Sequence, residues 1–372
     1  MAAMIARAWP EFRGHVFVAD VAKAFDSLEL MDRGRHIARV LRRHLPDDYP
    51  TAVGILLQSI GERPLRTDVA GGMASFFYLP HVCFVAAFGL EHFDESMQAL
   101  HTLTKRFTSE FSIRPFIERH EREALALLRQ WARDPDAHVR RLVSEGTRPR
   151  LPWAGRLRRF QQDPSPVIEL LEMLRDDPAE YVRRSVANNL NDIGKDHPDL
   201  LVDVARRWMT DATPERAAIV RHALRSLVKQ GHAGALAVLG VGRRAEVAVQ
   251  EVAITPRRPP LGGKVSVAFV VRSTSLKPQR VLVDFRVHFV KASGAASPKV
   301  FKLKTIDLPV GAAVAFRKTV SLADLTTRRH YPGRHVVDAL INGVVTPVGA
   351  FTLVGGRSQV QRGRQVRRAT GA

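Results

Sequence analysis

Apolar residues recur every three or four positions through the first two-thirds of the chain and every second position through most of the remainder, with the change near residue 244. The first spacing gathers apolar side chains on one stripe of a helix, and the second puts them on one face of a strand. Three stretches of the helical part repeat one another. "RDPDAHVRRLVSEG" from Arg133, "RDDPAEYVRRSVANNL" from Arg175 and "TDATPERAAIVRHALRSL" from Thr210 each carry an Asp followed shortly by Pro, then an amphipathic helix opened by Val-Arg-Arg or Val-Arg-His. The first valines of these triplets are Val139, Val182 and Val220, 43 and then 38 residues apart. That period is typical of HEAT-like helical pairs. Within each pair the Asp-Pro step ends one helix and starts the next, because Pro is tolerated in a first turn and Asp accepts hydrogen bonds from free backbone N–H groups. "ELMDRGRHIARVLRRHLPDDYPTAVGILLQSIG" reads as an earlier, more divergent pair. Stacked pairs bury a continuous core and leave a concave face of second helices.

Beyond residue 244, "AEVAVQEVAITP", "KVSVAFVVRSTS", "RVLVDFRVHFVKASG", "KVFKLKTIDLP", "AAVAFRKTVSL" and "GRHVVDALINGVVTPVGAFTLV" alternate Val-rich and polar positions between Gly, Pro, Ser and Asn. Six or seven such strands predict an immunoglobulin-like β-sandwich. The expected fold class is therefore multidomain, an all-α HEAT-like solenoid over 1–243 followed by an all-β immunoglobulin-like sandwich over 244–356. Residues 357–372 carry arginines without an apolar period and are expected to be a disordered basic tail.

The most apolar window, "MASFFYLPHVCFVAAFGL", is interrupted by Pro80 and His81. Neither half approaches the ~20 residues of a spanning helix, so the window is expected to be a buried helical hairpin, with no membrane partner. "MAAMIARAWPEF" shows no basic start followed by a continuous apolar run, so no secretory signal is expected.

Charge narrows the partner. With 57 Lys+Arg against 37 Asp+Glu, the formal net charge is +20, which calls for an anionic partner, nucleic acid first. The single cysteine, Cys83, excludes an intrachain disulfide and argues against a thiolate zinc site, in keeping with a reducing cytoplasm. There is no P-loop, no Gly-rich dinucleotide turn, no H-E-x-x-H and no nucleophile elbow, and the fourteen histidines lack ligand spacing. No metal or cofactor is expected.

Acids near the repeat junctions remain as candidate chemistry. In "EYVRRSVANNLNDIGKDHPDLL", Ser185, Asn188, Asn189 and Asp192 recur at three- and four-residue steps, a hydrogen-bonding stripe that ends in a carboxylate. Asp192 alone is equally explained by bonds to helix-end groups. Glu110, in "TSEFSIRPF", precedes a helix start and has a reading as a terminal charge complementing the dipole. Glu145 is harder to dismiss, since it closes a short helix ahead of a loop with two prolines, Trp153 and five arginines: Arg148, Arg150, Arg156, Arg158 and Arg159. A lone tryptophan belongs in a core more often than in a binding loop. Beside these arginines, however, Trp153 has the means to stack a base.

The strings "EFSIRPFI", "VRRLVSEGTRPRLPW", "VRRSVANNLNDIGKDHP" and "LELMDRGRHIARVLRRHLP" resemble the AlkC branch of the HEAT-repeat DNA glycosylases, from about Leu28 to Leu239. One AlkC subgroup also carries an appended immunoglobulin-like domain. The resemblance implies a monomeric enzyme that excises 3-methyladenine, and by extension 3-methylcytosine, from duplex DNA. It carries the catalytic acids over to Glu110, Glu145 and Asp192, and an aromatic beside the lesion to Trp153. Arg148, Arg150, Arg156, Arg159 and Asn188 are the expected DNA- and lesion-binding residues. Methylation at N3 makes the base cationic and a good leaving group, so its departure leaves an oxocarbenium-like sugar that carboxylates stabilise. A non-catalytic solenoid that binds nucleic acid, or a protein-interaction scaffold, would share the repeats but has no need of an acid cluster in a basic groove.

Overall fold

The computed structural model describes residues 1–61, 72–242, 244–325 and 328–355. The expected tail, 357–372, lies outside the described residues. The chain divides into two compact units, Met1–Arg225 and Ser226–Ala372.

The first unit is helical: α1 (Ala2–Ala8), α2 (Gly14–Ala22), α3 (Leu30–His44), α4 (Tyr49–Ser59), α5 (Leu79–Phe88), α6 (Phe93–Thr104), α7 (Arg114–Arg119), α8 (Glu121–Trp131), α9 (Ala137–Gly146), α10 (Arg158–Gln162), α11 (Ser165–Leu174), α12 (Glu180–Ile193), α13 (Pro198–Met209) and α14 (Pro214–Ala223). The first two Val-Arg triplets open α9 and α12, whereas the third falls in the last turn of α14, because Thr213 and Pro214 start that helix about two turns earlier. Helix α12 packs against both α9 and α14, with Val139, Val182 and Val220 buried. In the first two repeats an Asp of the Asp-Pro step acts locally as expected: Asp136 caps α9 by accepting from the His138 N–H, and Asp177 Oδ1 accepts from the Ala179 N–H just ahead of α12. In the third the cap is Thr213, whose hydroxyl accepts from the Arg216 N–H at the start of α14. The arginines of the first two triplets lock their Asp-Pro turns. Arg140 donates to the Asp134 and Pro135 carbonyls, and Arg183 to those of Asp177 and Pro178. Arg140 also grips both oxygens of Asp177, at 2.6 and 3.0 Å, so the junction of one repeat is tied to the helix of the one before.

The apolar window differs from expectation. A 3-10 turn, Gly72–Tyr78, leads directly into α5, and Pro80 falls in the first turn of that helix. A proline there removes no hydrogen bond, so it starts one helix where a hairpin was expected. Among the described residues no helix is long and apolar enough to cross a membrane.

The second unit holds α15 (Arg225–Lys229, which straddles the division), α16 (Ala233–Val238) and seven strands: β1 (Val247–Thr255), β2 (Lys264–Ser273), β3 (Gln279–Val290), β4 (Ala296–Leu308), β5 (Ala313–Ser321), β6 (Gly333–Ile341) and β7 (Val344–Leu353). They form two antiparallel sheets, β1-β2-β5 and β4-β3-β6-β7. Alternate residues such as Val265, Val267, Val283 and Phe285 are buried between them. The long final run splits at Asn342-Gly343, whose φ angles of 50° and 78° make the two-residue turn that strand twist favours. The division between units precedes the change of hydrophobic period, and the segments on either side of α16 meet this hairpin. A Cβ added to Gly343 would lie 2.2 Å from the Gly231 Cα, and the Asn342 amide donates to the Gly242 carbonyl at 2.8 Å.

Two strand-end segments of the sandwich are basic, 271–280 with Arg272, Lys277 and Arg280, and 328–335 with Arg328, Arg329 and Arg334, and strand register separates them. Arg272 pairs with Ala313 and Gln279 with Leu308, so residues 271–280 sit at one end. Lys264 pairs with Ser321 and Gly333 with Leu353, so residues 328–335 sit at the other.

Candidate active site

Burial of charge requires partners, and the acids of the first unit have them in an ordered series. Glu110 lies before α7, Glu145 in the last turn of α9, and Asp192 near the end of α12. They are 9, 6 and 1% exposed. Arg141, one turn ahead of Glu145, reaches Glu110 at 2.7 Å and Glu145 at 3.8 Å. Arg148 reaches Glu145 at 2.6 Å and Asp192 at 2.8 Å. Lys195 closes the series on the other Asp192 oxygen at 2.7 Å. The result is a ladder of alternating charge, Glu110–Arg141–Glu145–Arg148–Asp192–Lys195, with three carboxylates and three cations.

Neutral groups complete it. Thr108 donates to Glu110, and Ser144 donates to Ser185, whose hydroxyl donates to Glu145 at 2.5 Å. The Asn189 amide nitrogen bonds the Ser144 carbonyl and the Thr147 hydroxyl, while its buried carbonyl oxygen has no partner among the described residues. The Arg141 guanidinium lies 4.9 Å from the centre of the Tyr181 ring. Burial works against the charge on both arginines of the ladder, but the adjoining carboxylates prevail and raise their pKa values above the ordinary guanidinium range.

The stripe on α12 divides. Ser185, Asn189 and Asp192 face α9 and the loop that follows it. Asn188 instead accepts from Arg225 at 3.0 Å and lies 3.1 Å from the His222 ring nitrogen. Among the described residues Asp192 bonds no helix-end backbone group. Both its oxygens are held by cationic side chains.

The arginine-rich loop after Glu145 is fixed from below and open above. Arg114, buried, donates to the carbonyls of Gly146, Arg148 and Gly155, and burial pushes its pKa down to about 10. Arg150 forks onto Asp196, with 2.8 and 2.5 Å contacts, which ties the loop to the turn after α12. At the tip stands Trp153, 91% exposed and at φ 63°. A left-handed bulky residue is strained, and such strain persists where the surrounding structure imposes it, commonly at functional sites. Trp153 is therefore no core residue. Arg156 and Arg159 are exposed and line a cleft of about 230 Å³ with Arg158, Glu118, Glu121 and Phe160. Arg159 also lies 3.3 Å from Asp163 and 3.6 Å from Glu121.

The site thus separates the arginines read as DNA contacts. Arg148 is 8% exposed with its guanidinium spent on two carboxylates, Arg150 is paired, and Arg156 and Arg159 face solvent. Arg141 and Lys195 were not identified from sequence. Their only signal there is position, four residues before Glu145 and three after Asp192. No group of three or more His, Cys, Asp or Glu among the described residues is placed to hold a metal ion.

Residues 106–227, which contain the whole ladder, match the model of a family described as DNA alkylation repair enzyme. Residues 248–355 match that of the C-terminal Ig-like domain of the uncharacterised protein YhaZ. The chain is 36% identical over 339 residues to the uncharacterized protein YhaZ of Bacillus subtilis (strain 168), covering 91% of each. Among solved structures it is similar to Pseudomonas fluorescens alkylpurine DNA glycosylase AlkC bound to DNA containing an abasic site analog, with 38% identity, a TM-score of 0.86, and 95% of this chain and 96% of that one covered.

Proposed function

The chain belongs to the AlkC-type family of DNA alkylation repair enzymes, and from that premise we propose that it hydrolyses the N-glycosidic bond of cationic alkylated bases, 3-methyladenine and 3-methylcytosine, in duplex DNA. The observation that carries this reading is the convergence of Glu110, Glu145 and Asp192, from three separate sequence motifs, on one ladder of buried acids, with an exposed tryptophan in the loop that follows Glu145. The relative's abasic-site complex supports DNA as the partner.

A cationic base leaves with its bonding electrons and is released neutral, so little protonation is required of the protein. Positive charge then develops on the sugar. Carboxylates held rigidly at that point stabilise it more than solvent does, because they need no reorganisation, and one of them can orient the attacking water. The ladder supplies the rigidity: each acid is fixed by one or two cations and, at Glu110 and Glu145, by hydroxyl donors. It also lets acids stand in a strongly basic chain that approaches phosphates. Trp153 has the exposure to stack on a base beside the lesion, and Arg156 and Arg159 have the free surface to meet phosphates. A purely nucleic-acid-binding solenoid gains nothing from three buried acids at one site.

The test is release of free base. Purified protein incubated with methylated duplex DNA should liberate 3-methyladenine and 3-methylcytosine, measured chromatographically in single turnover. Binding to that DNA with no base released would leave a non-catalytic binder.

A further inference from the structure

The two ends of the ladder differ. Side chains of Glu110, Arg141, Glu145, Arg148 and Asp192 are between 1 and 17% exposed, whereas Lys195 is 43% exposed. Lys195 lies in the turn after α12, two residues past its end, and it holds a single oxygen, Asp192 Oδ1. Arg148 cannot leave Asp192 without also disturbing its hold on Glu145 Oε1, because one guanidinium serves both acids. Lys195 strands nothing but Asp192 Oδ1. Its ammonium is a compact charge on a flexible four-carbon stem, and a half-exposed pair of this kind is weakly held.

With Lys195 in place, both oxygens of Asp192 are occupied by the protein's own cations. A carboxylate so engaged stabilises a sugar cation less than one with a free oxygen. The sugar of a target nucleotide is flanked by phosphates on both sides, and an exposed ammonium beside it is drawn to them. We propose that Lys195 is an exchangeable counter-cation: it screens Asp192 in the DNA-free protein and transfers to a phosphate next to the target sugar when DNA is seated, leaving Oδ1 to face the forming cation. Lys195 is thus a positioning residue that couples backbone binding to exposure of the acid. The inference rests on the glycosylase reading above. It also accounts for how a buried acid avoids repelling the phosphates before chemistry begins.

Lys195→Gln and Lys195→Arg in the full chain test it, through salt-dependent binding to undamaged duplex DNA and single-turnover release of 3-methyladenine at saturating protein. For Lys195→Gln the log–log salt slope should fall by about 0.9, the value of one phosphate contact. Its saturating rate should rise about threefold, the size expected when one half-exposed ion pair no longer competes. For Lys195→Arg the slope should stay, while the rate falls about tenfold, because a planar fork grips a carboxylate more firmly than an ammonium does. A Lys195→Gln slope equal to wild type overturns the transfer to phosphate. A reduced slope with an unchanged or lowered saturating rate overturns the screening of Asp192. A wild-type protein that binds DNA but releases no base overturns the glycosylase reading itself, an outcome visible without either variant.

Discussion

Arg148 and Asp192 stand 44 residues apart in sequence and meet through two guanidinium nitrogens on one carboxylate oxygen, each at 2.8 Å, with Asp192 only 1% exposed. The same guanidinium reaches Glu145 at 2.6 Å. One arginine therefore sets the separation of two of the three acids, and the chemistry proposed for them depends on its position.

Replacing Asp192 by Asn keeps an oxygen for Arg148 but removes the charge. Excision should drop by about 10²–10³, the usual cost of losing one electrostatic contact to a developing charge in a water-poor site. Affinity for undamaged DNA should persist. If Asp192 were merely structural, the melting temperature would fall while single-turnover excision stayed near wild type. Measuring both on one preparation separates the two roles.

Arg148 and Arg159 should part company. Arg148→Ala leaves two buried carboxylates without their shared cation, a defect of roughly 3–5 kcal/mol that should lower the melting temperature of the helical unit by about 10 °C. It should change the salt slope of DNA binding little. Arg159→Ala, at a half-exposed position, should leave the melting temperature nearly unchanged and reduce the slope by about 0.9. Equal slopes for Arg159→Ala and wild type would remove Arg159 from the DNA contacts.

The sandwich is proposed to raise DNA affinity through its covalent tether. Because the second compact unit begins at Ser226, a clean truncation ends at Arg225. That fragment should unfold cooperatively, bind DNA at least about tenfold more weakly and lose excision in proportion at subsaturating DNA. A fragment ending at residue 244 should be less soluble, since Leu227, Val228 and Leu236, buried in the intact chain, belong to the second unit and would be cut from most of it. Full-rate excision by the Arg225 fragment at subsaturating DNA would assign the sandwich another purpose.

His81 on α5 is 1% exposed, with Nδ1 lacking a partner among the described residues, and burial lowers its pKa to about 4. Its folded value lies below the unfolded 6.5, so between these values the unfolded chain binds the extra proton. Its contribution is present above pH 6.5 and is lost as pH falls toward 4, by about 3 kcal/mol in all. Urea unfolding of His81→Leu at pH 7 and pH 4.5 should show a smaller loss than wild type. Parallel losses in the two proteins would show that His81 is protonated in the folded state at no cost.

Periodicity alone determined the order of the two architectures, because the spacing of apolar residues dictates which face of a helix or strand is buried before any partner is known. In the first two repeats the Asp-Pro and Val-Arg signals were equally legible, since capping is a contact between near neighbours, while in the third Thr213-Pro214 started the helix ahead of its triplet. The strings around Glu110, Glu145 and Asp192 marked the acids, but tertiary structure decided what each one touches. Arg141 meets Glu110 across 31 residues and Arg148 meets Asp192 across 44, and no local pattern encodes such pairings. For that reason Arg148 read as a phosphate contact in an arginine-rich loop while its guanidinium is spent inside the protein, and Lys195 went unnoticed. Pro80 misled in the same way: a proline marks a boundary, and only packing shows whether a helix ends or begins there. For Trp153 the arginines around it pointed to a loop residue able to stack a base, but the left-handed backbone that stands it out in solvent is a feature of the folded loop that composition does not encode.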